Sequence, residues 1–197
     1  MRLKNKIAII TGAASGFGKG IAKKFSEEGA KLILVDINKD LLEKVSKDLN
    51  QDFLHTDVAN SNSMKQLADY VLKKYESIDI MVNNAGITHL PKPLEEVSEE
   101  EFDKTFAVNS KSVFLCGKFF VPHMKKQKKG SILNISSTAG ISPRPNLNWY
   151  NATKGWMITA TKAMAVELAP FNVRVNSLAP VAGETPLLKS FLGEDTP

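Results

Sequence analysis

Residues 6–18 read KIAIITGAASGFG. A short apolar run, 6–10, leads into a turn carrying Gly12, Gly16 and Gly18, and a helix-forming segment begins at 16. A run that short and that uniformly apolar is expected of a strand covered on both faces. Glycine at a strand-to-helix junction lets the backbone turn tightly and approach a bound anion, which the helix N-terminus then favours. The alternation continues along the chain. Further strands are expected at 31–36, 53–57, 78–84, 131–136 and 173–180, and helices at 16–28, 39–49, 63–75, 99–127 and 150–169. Asn38 is placed to cap the second helix, and Ser98 with Glu101 has capping-box spacing before the fourth. Strands alternating with helices imply right-handed crossovers and a parallel sheet. The expected fold is α/β: a doubly wound, Rossmann-type parallel sheet in three layers, forming one domain over 1–197.

Composition narrows the function classes. The chain is 43% hydrophobic and 24% charged, with formal net charge +5, as in an average soluble protein with a sizeable core. The dense basic run, Lys125, Lys126, Lys128 and Lys129, falls at an expected helix end, where the dipole favours cations. No aromatic residues are interleaved with those lysines, which argues against nucleic acid as a partner. Cys116 is the single cysteine, so no intrachain disulfide can form and a reducing, cytoplasmic setting is expected. The apolar run in MRLKNKIAII is too short for a signal peptide, and no segment is long enough to cross a bilayer. His55, His89 and His123 lack ligand-like spacing, so no metal is expected.

The glycine turn gains meaning from its position, because the first strand-to-helix junction is where this fold holds a pyrophosphate. Asp36 ends the second strand, eighteen residues after Gly18. A carboxylate there can accept from both adenosine-ribose hydroxyls and would repel a 2′-phosphate. Ser15 precedes Gly16, and Ile37 and Asn38 follow Asp36, so Lys39 is the one nearby cation. NAD is therefore expected over NADP.

YNATK, residues 150–154, sets a phenol and an ammonium at i and i+4, on one face of a helix. Tyrosine ordinarily titrates near 10, too high for a useful base at neutral pH. A neighbouring ammonium favours the phenolate, so Lys154 is expected to draw Tyr150 towards the working pH of a general acid–base.

Over its whole length the chain resembles the compact branch of the short-chain dehydrogenase/reductase family. The resemblance rests on TGAASGFG (11–18), Asp36, DV (57–58), NNAG (83–86), Asn109 in FAVNSKS, NISS (134–137), YNATK and VRVNSLAP (173–180), in that order. It implies a cofactor site built from Gly12, Ser15, Gly16, Phe17, Gly18, Asp36 and Ile37. Asp57 and Val58 would take the adenine, and Asn84, Ala85 and Gly86 would follow the fourth strand beside Asn83. Pro180, Val181 and Thr185 would meet the nicotinamide side. Thr11 would hydrogen-bond within the turn. Ser137, thirteen residues before Tyr150, would hold the substrate oxygen, with Ser136 as its rival. Asn109 would hold a water relaying protons towards Lys154, and Lys154 would also bind the nicotinamide ribose, beside Tyr150.

The implied activity is hydride transfer between NAD(H) and a secondary alcohol or ketone. A catalytically silent NAD-binding scaffold or sensor is the alternative. The substrate is expected where 88–97, 139–149 and 180–192 meet, with Trp149 and Leu147 as candidate contacts and Arg144 a candidate for an anion. Helices 99–127 and 150–169 are expected to carry apolar outer faces for a homo-oligomer, a dimer or tetramer. Family members usually continue through another helix and a seventh strand, whereas this chain ends at FLGEDTP. That ending is expected to leave the sixth strand with an open edge.

Overall fold

Each strand expected from the sequence is present in the computed structural model, which describes residues 1–192, the side chains of Lys189 and Leu192 excepted. The strands are β1 (Ile7–Thr11), β2 (Lys31–Asp36), β3 (Asp52–His55), β4 (Ile80–Asn83), β5 (Gly130–Ile135) and β6 (Val173–Leu178). They form one sheet in the order β3-β2-β1-β4-β5-β6, and every pairing is parallel. The order reverses between β1 and β4, so their carboxyl ends open a crevice suited to a ligand.

The helices are α1 (Gly16–Glu27), α2 (Lys39–Leu49), α3 (Ser61–Tyr75), α4 (Glu99–Phe106), α5 (Ser112–Gln127), α6 (Asn148–Leu168) and α7 (Pro186–Leu192). Side-chain caps fix three of their starts. Asn38 accepts from the Leu41 amide, Asn60 from the Asn62 and Ser63 amides, and Ser98 and Glu101 complete the expected capping box.

Successive strand residues point to opposite faces, and two cores result. Ile7, Ile9, Ile33 and Val35 pack with α3, α5 and the end of α6. Ala8, Ile10, Leu32 and Leu34 pack with α1 and α2. This is the three-layer arrangement that uniformly apolar strands require.

Two expectations are corrected. The helix expected over 99–127 is broken by a π-helical turn, Ala107–Lys111, which joins α4 to α5. Asn109 stands in that turn, and its amide reaches out of the helix to the Ile87 backbone. The substrate loop expected over 180–192 is helical in its second half, as α7, and starts with proline, whose fixed φ suits a first helical position. The expected end of the chain, 193–197, lies outside the described residues.

Candidate active site

The glycine-rich turn is held from behind. Thr11 Oγ1 donates to Val82 O and accepts from the Asn84 and Ala85 amides, both at 3.0 Å. Asn84 Nδ2 donates to Thr11 O at 2.9 Å and Gly12 O at 3.2 Å. The side chain of Asn84 is thus spent on clamping β1 to β4, while the residue still borders the cleft in front. Gly18 must be glycine for space, because a Cβ there would run into the Gly12 carbonyl oxygen. Gly12 adopts φ +66°, and an added Cβ would stand 2.9 Å from Ala85 Cα.

Asp36 is oriented by the same loop. Its Oδ2 accepts from the Ala14 amide at 3.0 Å and its Oδ1 from the Asn38 amide at 2.9 Å. Each carboxylate oxygen keeps a second lone pair for a ligand. Asp57 accepts from the Ala59 amide at 2.9 Å, so its carboxylate is also held before any ligand arrives.

The catalytic candidates meet on α6. Tyr150 and Lys154 are each 4% exposed, and Lys154 Nζ lies 5.7 Å from the centre of the Tyr150 ring. Lys154 Nζ donates to Ile135 O at 2.9 Å. Burial lowers its pKa from 10.5 to about 8. Burial also raises the Tyr150 phenol above its ordinary value of 10, opposed by the hydrogen bond from Ser137. The expectation that Lys154 would pull Tyr150 downwards therefore does not hold for the chain alone. Desolvation penalises the phenolate, and the buried ammonium nearby does not offset that penalty.

The two serines separate by their partners. Ser136 Oγ donates to Lys154 O at 2.9 Å and so fastens β5 to the α6 backbone. Ser137 Oγ accepts from the Ala139 amide at 3.1 Å and stands beside the Tyr150 hydroxyl. Asn109 is fully buried, accepting from the Ile87 amide and donating to Ile87 O and Thr153 Oγ1 at 2.9 and 3.0 Å. Both of its amide hydrogens are in use, so a water near Lys154 would need its main chain or a second lone pair. Thr153 Oγ1 in turn donates to Tyr150 O, linking the π-helical turn to the helix that carries the phenol.

One cleft of about 550 Å³ joins these parts. Its wall includes Gly12, Ser15, Gly16, Phe17, Asp36, Ile37, Asp57, Val58, Asn84, Ala85 and Gly86. Ser137, Tyr150, Lys154, Pro180, Val181 and Thr185 complete the expected residues along it. Gly18 and Asn109 lie behind the wall. A cradle in which Gly12 and Gly18 admit no Cβ, and a pre-oriented carboxylate beyond it, fit the pyrophosphate and ribose of a dinucleotide. Among the described residues, no group of three or more His, Cys, Asp or Glu side chains is placed to hold a metal. No helix among them is long and apolar enough to cross a membrane.

The substrate end differs from expectation. Leu147 and Arg144 line the cleft, but loop 88–97 does not; the facing wall is Lys104, Ala107 and Val108 instead. That loop is tied back by Lys92, whose amide donates to Asn146 O and whose ammonium pairs with Glu101. Trp149 packs edge-on against Phe102, with centroids 5.4 Å apart, outside the cleft wall. Phe191 of α7 was not anticipated; it lies edge-on against the Tyr150 ring at 5.0 Å.

A family model described as short chain dehydrogenase matches residues 6–195. The chain belongs to the short-chain dehydrogenase family. Relatives of this short-chain dehydrogenase include the 4-formylbenzenesulfonate dehydrogenase of Comamonas testosteroni, 38% identical over 203 residues that cover 100% of this chain and 81% of that one. The 3-oxoacyl-(acyl-carrier-protein) reductase FabG of Thermotoga maritima is 42% identical over 95% of this chain and 78% of its own. Among solved structures, the 3-ketoacyl-(acyl-carrier-protein) reductase of Brucella melitensis, complexed with NADH, superposes with TM-score 0.93. It is 45% identical and covers 95% of this chain and 80% of that one.

The hydrogen-bond partners of the buried polar residues inside the strands were not read in the sequence. Asn83 Nδ2 donates to Asn134 Oδ1, and Asn134 Nδ2 to Thr161 Oγ1, both at 2.8 Å. This chain of bonds ties β4, β5 and α6 together below the site. Asparagine is disfavoured in strands, so two such residues in apolar runs were the available signal. Gly140 was also missed, although an added Cβ there would stand 2.6 Å from the Lys154 carbonyl carbon.

Proposed function

We propose that this short-chain dehydrogenase oxidises a secondary alcohol, or reduces the matching ketone, with NAD(H) as partner. The observation that carries the reading is one cleft holding Ser137, Tyr150 and Lys154 together with the glycine turn and Asp36. A bound nicotinamide supplies the hydride acceptor or donor. Tyr150 supplies the proton path: its hydroxyl gives a proton to the carbonyl oxygen in reduction and takes one from the alcohol in oxidation. The neutral phenol that burial favours is the form needed for reduction. Ser137 donates to the substrate oxygen and steadies charge developing there. Lys154, buried beside both, binds the nicotinamide ribose and exchanges protons with Tyr150 through a water held at the Asn109 main chain. Val58 and Ile37 flank the adenine, while Pro180, Val181 and Thr185 border the nicotinamide.

The preference for NAD over NADP rests on Asp36, whose fixed carboxylate would oppose a 2′-phosphate. The NADH-bound Brucella reductase supports a nicotinamide cofactor of this kind. Relatives named for a formylbenzenesulfonate and for cyclopentanol support small carbonyl and alcohol substrates. A cytoplasmic homo-oligomer is part of the proposal. Phe102, Phe106 and Trp156 form an aromatic row left about two-fifths exposed on α4 and α6, an apolar face suited to a second subunit. Calorimetric titration with NAD and with NADP tests the cofactor: tight NAD and weak NADP binding is expected, and equal affinities would overturn the role of Asp36.

A further inference from the structure

We propose that the substrate end of the cleft is built for an organic anion: a ketone or secondary alcohol whose apolar body carries a carboxylate or sulfonate, received by Lys104 and Arg144. The proposal rests on the hydride-transfer reading and adds the substrate class to it.

Charge is divided along the cleft. Its two lining carboxylates, Asp36 and Asp57, stand at the ends of β2 and just beyond β3, beside the glycine turn. Lys104 and Arg144 line the other end, with Tyr150 and Lys154 between. No carboxylate among the described residues lines that end, and none pairs with Lys104 or Arg144. The two cations arrive from separate elements. Lys104 stands on α4 one turn before Ala107 and Val108, so the three share a side facing the cleft. Arg144 belongs to the segment before α6, and its carbonyl accepts from Asn151 Nδ2 at 2.7 Å. Asn151 is buried and directly follows Tyr150, so this bond ties the Arg144 backbone to the first turn of α6.

The surface between is apolar: Leu147, Val108, and Leu187, Leu188 and Phe191 of α7. Cations without a carboxylate partner among the described residues, at the mouth of a low-dielectric cleft, focus an attractive potential on an anion. Guanidinium can take a carboxylate or sulfonate through two parallel hydrogen bonds, and an ammonium adds a point charge. A neutral ketone gains from neither. Both cations are exposed, so solvent screens them and the expected discrimination is moderate.

The test uses 4-acetylbenzoate and its methyl ester, two ketones that differ in the charge. Each is titrated calorimetrically into the NAD-saturated full chain, and each is offered for reduction with NADH. The acid should bind roughly tenfold more tightly than the ester, and that preference should shrink with added salt. It should fall towards one in the Lys104→Gln/Arg144→Gln double variant, with NAD titration showing that the variant is folded. Equal binding of acid and ester, no binding of the acid, or a preference that survives in the double variant would overturn the proposal. Charge-dependent binding without reduction of either ketone would sustain the anion site and remove the hydride-transfer reading. Reduction of both with equal binding would do the reverse.

Discussion

Replacing Lys154 with methionine should stabilise the fold at neutral pH while abolishing turnover. The lysine is 4% exposed and its ammonium has one hydrogen-bond partner among the described residues, Ile135 O. Burial lowers its pKa from 10.5 to about 8, which corresponds to ~3 kcal/mol of destabilisation at 1.36 kcal/mol per pH unit. The sign follows from proton counting. Below pH 8 the lysine is charged folded and unfolded, so the whole penalty is present. Between 8 and 10.5 the unfolded chain binds the extra proton, so stability rises with pH; above 10.5 the penalty is gone. Methionine fills a similar volume without charge, but it forfeits the bond to Ile135 O, worth ~1 kcal/mol. The variant should therefore be ~2 kcal/mol more stable at pH 7, or ~4–8 °C in melting temperature for a chain of this size. The advantage should shrink as pH rises from 8 and vanish near ~10. Paired thermal melts of wild type and variant across that range measure it. A variant less stable at pH 7, with a difference that ignores pH, would refute the reasoning.

Tyr150→Phe should lower turnover by ~10²–10⁴-fold with the NAD dissociation constant almost unchanged; steady-state rates beside calorimetry decide it, and unaltered turnover would remove the phenol from the chemistry. Asp36→Ala should erode the NAD preference and, by stranding the Ala14 and Asn38 amides, cost ~1–3 kcal/mol of stability, read from the ratio of the two affinities and from denaturant melts. Gly18→Ala should cost ~2–3 kcal/mol and weaken NAD binding, because the Gly12 carbonyl oxygen it meets is backbone; a fully stable variant with native affinity would count against the tight turn. If the proposed homo-oligomer forms, Phe106→Glu with Trp156→Glu should dissociate it in light scattering, whereas a wild-type monomer would show that the aromatic row has another purpose.

The strands and caps were legible because local chemistry decides them: apolar runs of a few residues, Asn38 and Ser98 ahead of helix patterns, glycine where β1 turns into α1. The glycine turn and the acidic strand end beside the cleft were legible for a related reason, since Gly12, Gly18 and Asp36 answer to backbone space and charge at fixed offsets. The π-helical turn was not, because the partners of the Asn109 side chain, both backbone groups of Ile87, lie twenty-two residues away in the sequence. The rivalry of Ser136 and Ser137 also needed the fold, as Ser136 is claimed by the Lys154 carbonyl across a helix–strand contact. The upward shift of the Tyr150 phenol in the chain alone was not legible, because sequence spacing reports which groups are close, not how thoroughly water is removed from them. Loop 88–97 was misplaced for want of its long-range ties to Asn146 and Glu101.

The central claim is that this cleft passes hydride to a carbonyl carbon while Tyr150 supplies the proton. The most direct measurement is incubation of the chain with ketones and NADH deuterated at the transferring position, followed by mass spectrometry of the alcohol. Deuterium should appear on the carbinol carbon with the wild-type chain and form at least ~10²-fold more slowly with Tyr150→Phe. NADH binding without any deuterium transfer would contradict the account and leave a nucleotide-binding scaffold in its place.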